Sequence, residues 1–168
     1  MTTAARLPPV LLVAVVLHTA VASQLRVFGV GAEVLLLVAI AAGIAAGPER
    51  GATVGFVAGL LADCFLQTPF GLSALTYCLV GWAVGAFQTT VLHAAGWIPV
   101  LTTFVATALG LALFAGIGAV VGQSQLISGR LVTILAVASL LNALLAPLAV
   151  RVMRWGVAAS PVPGLVLR

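Results

Sequence analysis

The sequence GFVAGLLADCFLQTPFGLSALTYCLVGWAVG, residues 55–85, decides the fold of this chain. Two apolar runs flank a QTPFG turn at residues 67–71, and a single carboxylate, Asp63, lies just before that turn. A charged side chain at the centre of a membrane helix costs roughly 2.5–3.5 kcal/mol on insertion scales. We therefore expect packing, position or function to offset the cost of Asp63.

The composition is that of an integral membrane protein. Of the 168 residues, 63% are hydrophobic and 6% are charged, whereas a soluble domain has about a quarter charged residues. The net charge of +4 comes from arginines that lie singly along the chain, without any lysine. Such a pattern forms no clustered basic face for phosphates, so we exclude a nucleic-acid partner.

Hydropathy predicts an all-α fold, a polytopic membrane bundle of about six transmembrane helices. A spanning helix needs about 17–25 apolar residues. A single bundle is predicted over residues 1–155, followed by a short irregular cytoplasmic tail over 156–168. Ala20-Val21-Ala22 resembles a signal-peptidase site, so a cleaved signal peptide is the alternative to a retained first helix, which the total count favours. The predicted runs cover about 7–23, 31–47, 51–66, 72–92, 97–121 and 131–150.

The distribution of arginines predicts the topology. Six spans place both termini on one side, and arginine favours cytoplasmic loops, so both termini are predicted to be cytoplasmic. Because all the loops are short, recognition is expected in or at the lipid bilayer. The predicted inner side holds Arg6, Arg50, Arg151, Arg154 and Arg168, and the outer side holds Arg26 and Arg130.

A stripe of small residues precedes Asp63. Residues four apart lie on one helix face, and such stripes let helix backbones approach closely in lipid. Two interpretations stay open, internal packing of the bundle and docking of a partner's transmembrane helix. The stripe consists of Gly51, Gly55, Gly59 and Asp63, and Gly81 and Gly85 repeat the spacing in the next run.

The polar residues of the apolar runs suggest structure rather than catalysis. Asp63 is interpreted as a structural ion pair or a carboxylate facing interfacial water, with a functional cavity as the alternative. Ser139 and Asn142 are expected to bond across helices. His18 and His93 form no HExxH or nucleophile–base motif, so no enzyme, cofactor or metal site is predicted.

Residues 55–85 resemble the signature region of the rod shape-determining protein MreD family. The resemblance implies a bacterial cytoplasmic-membrane protein, a fold similar to the substrate-binding subunits of energy-coupling-factor transporters, and a scaffold role in lateral peptidoglycan synthesis and cell shape. The implied partners are a single-span MreC-like protein, then MreB-like and cell-wall synthase proteins. The matching elements are Gly55-Phe56, Gly59-Leu60-Leu61, Asp63, Pro69-Phe70-Gly71-Leu72-Ser73-Ala74-Leu75 and Tyr77-x-x-Val80-Gly81.

The second functional interpretation is a vitamin-type substrate-binding subunit of a membrane transporter. Such subunits carry an Ala-x-x-x-Ala-type docking motif on their first helix. Here the residue four positions after Ala14 is His18, and the residue four positions after Ala22 is Arg26, so neither alanine begins such a motif. This departure favours the scaffold. The structural or partner-binding candidates are Gly55, Gly59, Asp63, Pro69, Phe70, Gly71, Gly81 and Gly85.

Overall fold

The structure is a computed structural model that describes residues 9, 12–16, 33–64, 70–91, 97–122, 129 and 131–157. This part of the chain contains no strand, which confirms the all-α prediction. Residues 12–16 are helical. The longer helices are α1 (Val34–Ala46), α2 (Pro48–Asp63), α3 (Leu72–Val91), α4 (Ile98–Val120) and α5 (Leu131–Val157).

Helix α1 lies at the centre of the bundle. Its sequence, VLLLVAIAAGIAA, is apolar on every side, and a helix of that kind is stable only when it is surrounded. Every residue from Val34 to Ile44 is buried. Helices α2, α3, α4 and α5 all contact it. The other described helices therefore pack around α1.

The corner between α1 and α2 depends on one glycine. Gly47 has φ 85° and ψ −177°, a backbone region that is essentially restricted to glycine. Its N–H donates to the Gly43 carbonyl at 3.0 Å. Pro48 then occupies the first turn of α2, where its missing N–H costs little. The sequence predicted a break at residues 48–50, between the runs at 31–47 and 51–66. The break lies one residue earlier, at Gly47, and residues 48–50 already belong to α2.

Helices α1, α2 and α3 alternate in direction. Gly43 of α1 faces Gly81 and Gly85 of α3, and Glu33 before α1 contacts Tyr77 near the start of α3. Helices α1 and α3 are therefore parallel, with α2 antiparallel between them in sequence. The Glu33 carbonyl also accepts from Asn142, which brings that part of α5 beside the start of α1.

The helix lengths only partly match the predicted spans. Ile98–Val120 and Leu131–Gly156 are long and apolar enough to cross a membrane. Helix α2 has 16 residues, about 24 Å at 1.5 Å per residue, less than a hydrocarbon core of about 30 Å. The count of six spans stays a prediction, and most of the first run lies outside the described residues. Helix α5 continues through Pro147, beyond the predicted end at residue 150.

Candidate functional site

Asp63 caps the helix that follows it. It is the last residue of α2 and is 4% exposed. Its Oδ2 accepts the backbone N–H groups of Gly71 at 2.8 Å and Ala74 at 3.3 Å, and its Oδ1 accepts that of Ser73 at 3.1 Å. The first N–H groups of a helix have no partner within the helix, and the helix dipole favours a negative charge there. Asp63 thus fastens the end of α2 to the start of α3.

The turn residues before α3 serve this cap. Gly71 has φ +99°, in the left-handed region that favours glycine. It donates its N–H to Asp63, and its carbonyl accepts the Leu75 N–H at 2.9 Å. Phe70 is 72% exposed. Pro69 lies outside the described residues.

The glycines of α2 bring its backbone against that of α3. A Cβ added at Gly55 would overlap the Tyr77 carbonyl, and one added at Gly59 would overlap Ser73 and Ala74. A Cβ at Gly85 would lie 2.6 Å from Pro48 Cα. Helices α2 and α3 are therefore antiparallel and in contact along the whole length of α2. The contact occupies the face that carries Gly55 and Gly59.

Gly81 joins three helices. A Cβ at this position would overlap the Gly51 backbone of α2 and lie 3.3 Å from the Ala39 carbonyl of α1. Gly43 of α1 faces the Gly81 carbonyl in turn. Small residues that let backbones approach closely favour helix association in lipid, where no hydrophobic force brings helices together.

A second set of polar residues lies around the N-terminal end of α1. The Tyr77 hydroxyl donates to Glu33 Oε2 at 3.2 Å. Asn142 Nδ2 donates to the Glu33 carbonyl and to Thr107 Oγ1, each at 3.3 Å. Asn142 therefore bonds across helices as expected. Ser139 does not, because its Oγ has no partner, and Asn142 Oδ1 has none either.

An apolar groove of about 450 Å³ runs between α3 and α4. Its lining includes the small side chains of Ala83 and Ala106 and the larger, exposed side chains of Phe87, Leu101 and Leu109. The groove thus has space beside its small side chains for the larger side chains of another helix. The remaining lining residues are Val80, Val84, Thr102 and Val105.

Comparison with known proteins identifies the family. A family model described as rod shape-determining protein MreD matches residues 3–155. The chain belongs to the MreD family. No curated protein and no solved structure matches the chain. Membership in this family implies a role in rod shape determination, and with the two long apolar helices it indicates a membrane location.

The surroundings of Asp63 in this MreD family member differ from the sequence interpretation. The expectation of a carboxylate that faces interfacial water is wrong, because Asp63 is buried and both oxygens accept backbone N–H groups. Arg26 and Arg130, its predicted ion-pair partners, lie outside the described residues. Three charge-assisted hydrogen bonds offset the burial of Asp63.

Sequence reasoning did not predict the contacts of Glu33. The residue precedes an apolar run, and no sequence spacing links it to Tyr77 or Asn142. Within the described part of the chain, no three His, Cys, Asp or Glu residues come together to hold a metal.

Replacing Asp63 by asparagine tests the cap. Asparagine keeps one acceptor oxygen, but it loses the charge and turns an NH₂ group toward N–H donors. A buried donor without a partner costs about 1–3 kcal/mol, so we expect a lower midpoint of thermal unfolding in detergent. The matched control is Glu49→Gln in the exposed first turn of α2, which we expect to melt like the wild type. Equal melting of Asp63→Asn and the wild type would contradict the cap.

Replacing Gly55 by alanine tests the close contact of α2 and α3. The added methyl group would overlap the Tyr77 carbonyl, and overpacking costs about 1–3 kcal/mol, which exceeds the gain of about 1 kcal/mol in helix propensity. Gly116→Ala is the control, because an added Cβ there meets nothing within 4 Å. Thermal unfolding should show a loss for Gly55→Ala and none for Gly116→Ala. A stabilised Gly55→Ala would refute the backbone contact.

Proposed function

We propose that this chain is a non-enzymatic scaffold of the rod complex in the cytoplasmic membrane. It binds a single-span MreC-type partner and helps to organise lateral peptidoglycan synthesis, with MreB-like and cell-wall synthase proteins as further members of the complex. The observation that carries the proposal is the family match over residues 3–155. The close backbone contact of α2 and α3 supports it, because a scaffold must present a well-defined surface.

The proposed topology has both termini in the cytoplasm. In the proposed six-span topology α1 and α5 run in the same direction, so the α1–α2 corner with Arg50 lies at the same end of the bundle as Arg151 and Arg154, near the end of α5. All three arginines are exposed. Arginine at one end of a bundle supports a cytoplasmic assignment for that end. Asp63 and the start of α3 then lie at the outer end.

The groove between α3 and α4 is the proposed binding site of the partner helix. The glycine faces of α2 and α3 already contact each other, so a partner needs another surface with small side chains. Ala83 and Ala106 supply such positions beside Phe87, Leu101 and Leu109. Side chains of an apolar helix fit holes of this kind, and packing of this type drives helix association in lipid.

Capture of the partner from mild detergent tests both parts of the proposal. The tagged full chain is co-expressed with the MreC-type protein of the same organism, and the retained partner is quantified. Ala83→Leu fills the groove at an exposed position, so folding is preserved and we expect several-fold less partner. Ala136→Leu makes the same change on an exposed position of α5, and should retain the wild-type amount.

Two results would contradict the proposal at different levels. If the wild type captures no more MreC-type protein than an unrelated membrane protein does, the scaffold proposal fails. If Ala83→Leu and Ala136→Leu both capture as much MreC-type protein as the wild type does, the groove is not the binding site of the partner.

A further inference from the structure

The exposed side of α2 is short compared with the thickness of a lipid bilayer. At one end lie the exposed charged residues Glu49 and Arg50, and the helix ends at Asp63. Arg50 and Asp63 are about 20 Å apart along the helix axis, whereas the hydrocarbon core of a bilayer is about 30 Å thick. The surface between these ends, the α2 face, consists of the exposed or partly exposed residues Ala52, Thr53, Phe56, Val57, Leu60 and Leu61.

Contacts with α3 hold both ends of α2 in place. Asp63 accepts the N–H groups of Gly71 and Ser73, so α2 ends level with the start of α3. At the other end, Gly85 of α3 lies against the backbone of Pro48. Turns whose backbone is exposed to lipid do not occur within the hydrocarbon region. The turns before and after α2 therefore limit the stretch of its exposed side that can lie in hydrocarbon.

The neighbouring helices with exposed faces match an ordinary bilayer. Helix α3 has 20 residues and α4 has 23, about 30 and 34 Å respectively. Helix α5 extends from Leu131 to Val150 before its first arginine, Arg151, about 30 Å. Helix α1 is shorter, but all its residues from Val34 to Ile44 are buried. The mismatch among these helices therefore belongs to the side of the bundle that carries the α2 face.

A helix shorter than the local hydrocarbon thickness can be accommodated in only a few ways. The bilayer becomes thinner, flanking side chains extend toward the interface, or the helix oligomerises. Tilting would reduce the height of α2 further, and sliding along α3 would break its contacts with Gly71 and Gly85. Arg50 can extend toward the headgroups, but Asp63 is held in place by its hydrogen bonds. Thinning of the bilayer is the response that leaves these contacts intact.

We propose that the α2 face thins the lipid bilayer beside it and so fits phospholipids with short or loosely packed acyl chains. Phe56 and Val57, which are 47% and 38% exposed, supply the apolar contact at its centre. The inference rests on the proposed topology, in which α2 crosses the membrane. The α2 face shares no residue with the α3–α4 groove, so lipid at the one does not compete with a partner helix at the other.

Nitroxide labels on single cysteines test the thickness of the bilayer at α2. The full chain is placed in nanodiscs of dioleoyl phosphatidylcholine, and each protein carries one cysteine, either Cys64 or Thr53→Cys. The two positions are exposed and about 16 Å apart along the helix, so a bilayer of ordinary thickness cannot bring both to its surfaces. We expect both labels to be several-fold more accessible to a water-soluble nickel chelate than a label at Phe56→Cys, in the middle of the α2 face.

The matched control is a pair of labels on α5. Thr133→Cys and Leu144→Cys have the same spacing and also lie at exposed positions. Because α5 is long enough for an ordinary bilayer, the label at Leu144→Cys should be protected from the nickel chelate and accessible to oxygen.

A double substitution tests the cause of the thinning. Glu49→Leu together with Arg50→Leu removes both charges beside the α2 face without changing the net charge of the chain. Hydrocarbon can then extend toward Pro48, so the label at Thr53→Cys should lose nickel accessibility several-fold. The label at Leu144→Cys should not respond.

Two outcomes overturn the proposal and separate it from the proposed topology. Protection of the label at Cys64 or Thr53→Cys to the level of that at Leu144→Cys would show a bilayer of ordinary thickness beside a helix that still crosses it. Nickel accessibility at Phe56→Cys equal to that at Cys64 would show that α2 does not cross the membrane, and the proposed topology would fail as well. Capture of the MreC-type partner tests the scaffold role separately.

Discussion

Three backbone N–H groups at the start of α3 donate to one buried carboxylate, and the rest of the described bundle depends on that contact. Asp63 fixes the end of α2 against the first turn of α3. The register set there brings Gly55 opposite Tyr77 and Gly51 opposite Gly81. Helix α1 then packs its Gly43 against Gly81. A shift of the first contact would therefore displace the contacts that follow.

Packing of backbone against backbone explains why this register matters in a membrane. Lipid chains are as apolar as the helix surfaces, so association depends on van der Waals contact and on hydrogen bonds between helices. Gly55 and Gly59 provide the contact, and Asp63 provides hydrogen bonds at one end. The resulting close packing of α2 against α3 suits the role in rod shape determination that the MreD family implies.

The sequence predicted the parts of this arrangement that follow from local spacing. Glycines four apart indicated close helix packing, and the isolated Asp63 beside a turn indicated a structural constraint. The partners of Asp63 could not be predicted, because backbone N–H groups carry no side-chain signal. The bond between Glu33 and Asn142 joins residues 109 positions apart, and only the folded bundle brings them together. The corner at Gly47 was placed late because Pro48 can begin a helix as well as end one.

Amide hydrogen exchange in the first turn of α3 tests the central role of Asp63 most directly. We predict that the amides of Gly71, Ser73 and Ala74 are protected in the wild type in lipid nanodiscs. In Asp63→Asn they should exchange much faster, and protection should also fall along the Gly51–Gly59 face of α2. Faster exchange confined to residues 71–74, or no change at all, would contradict the claim that this cap sets the register of the bundle.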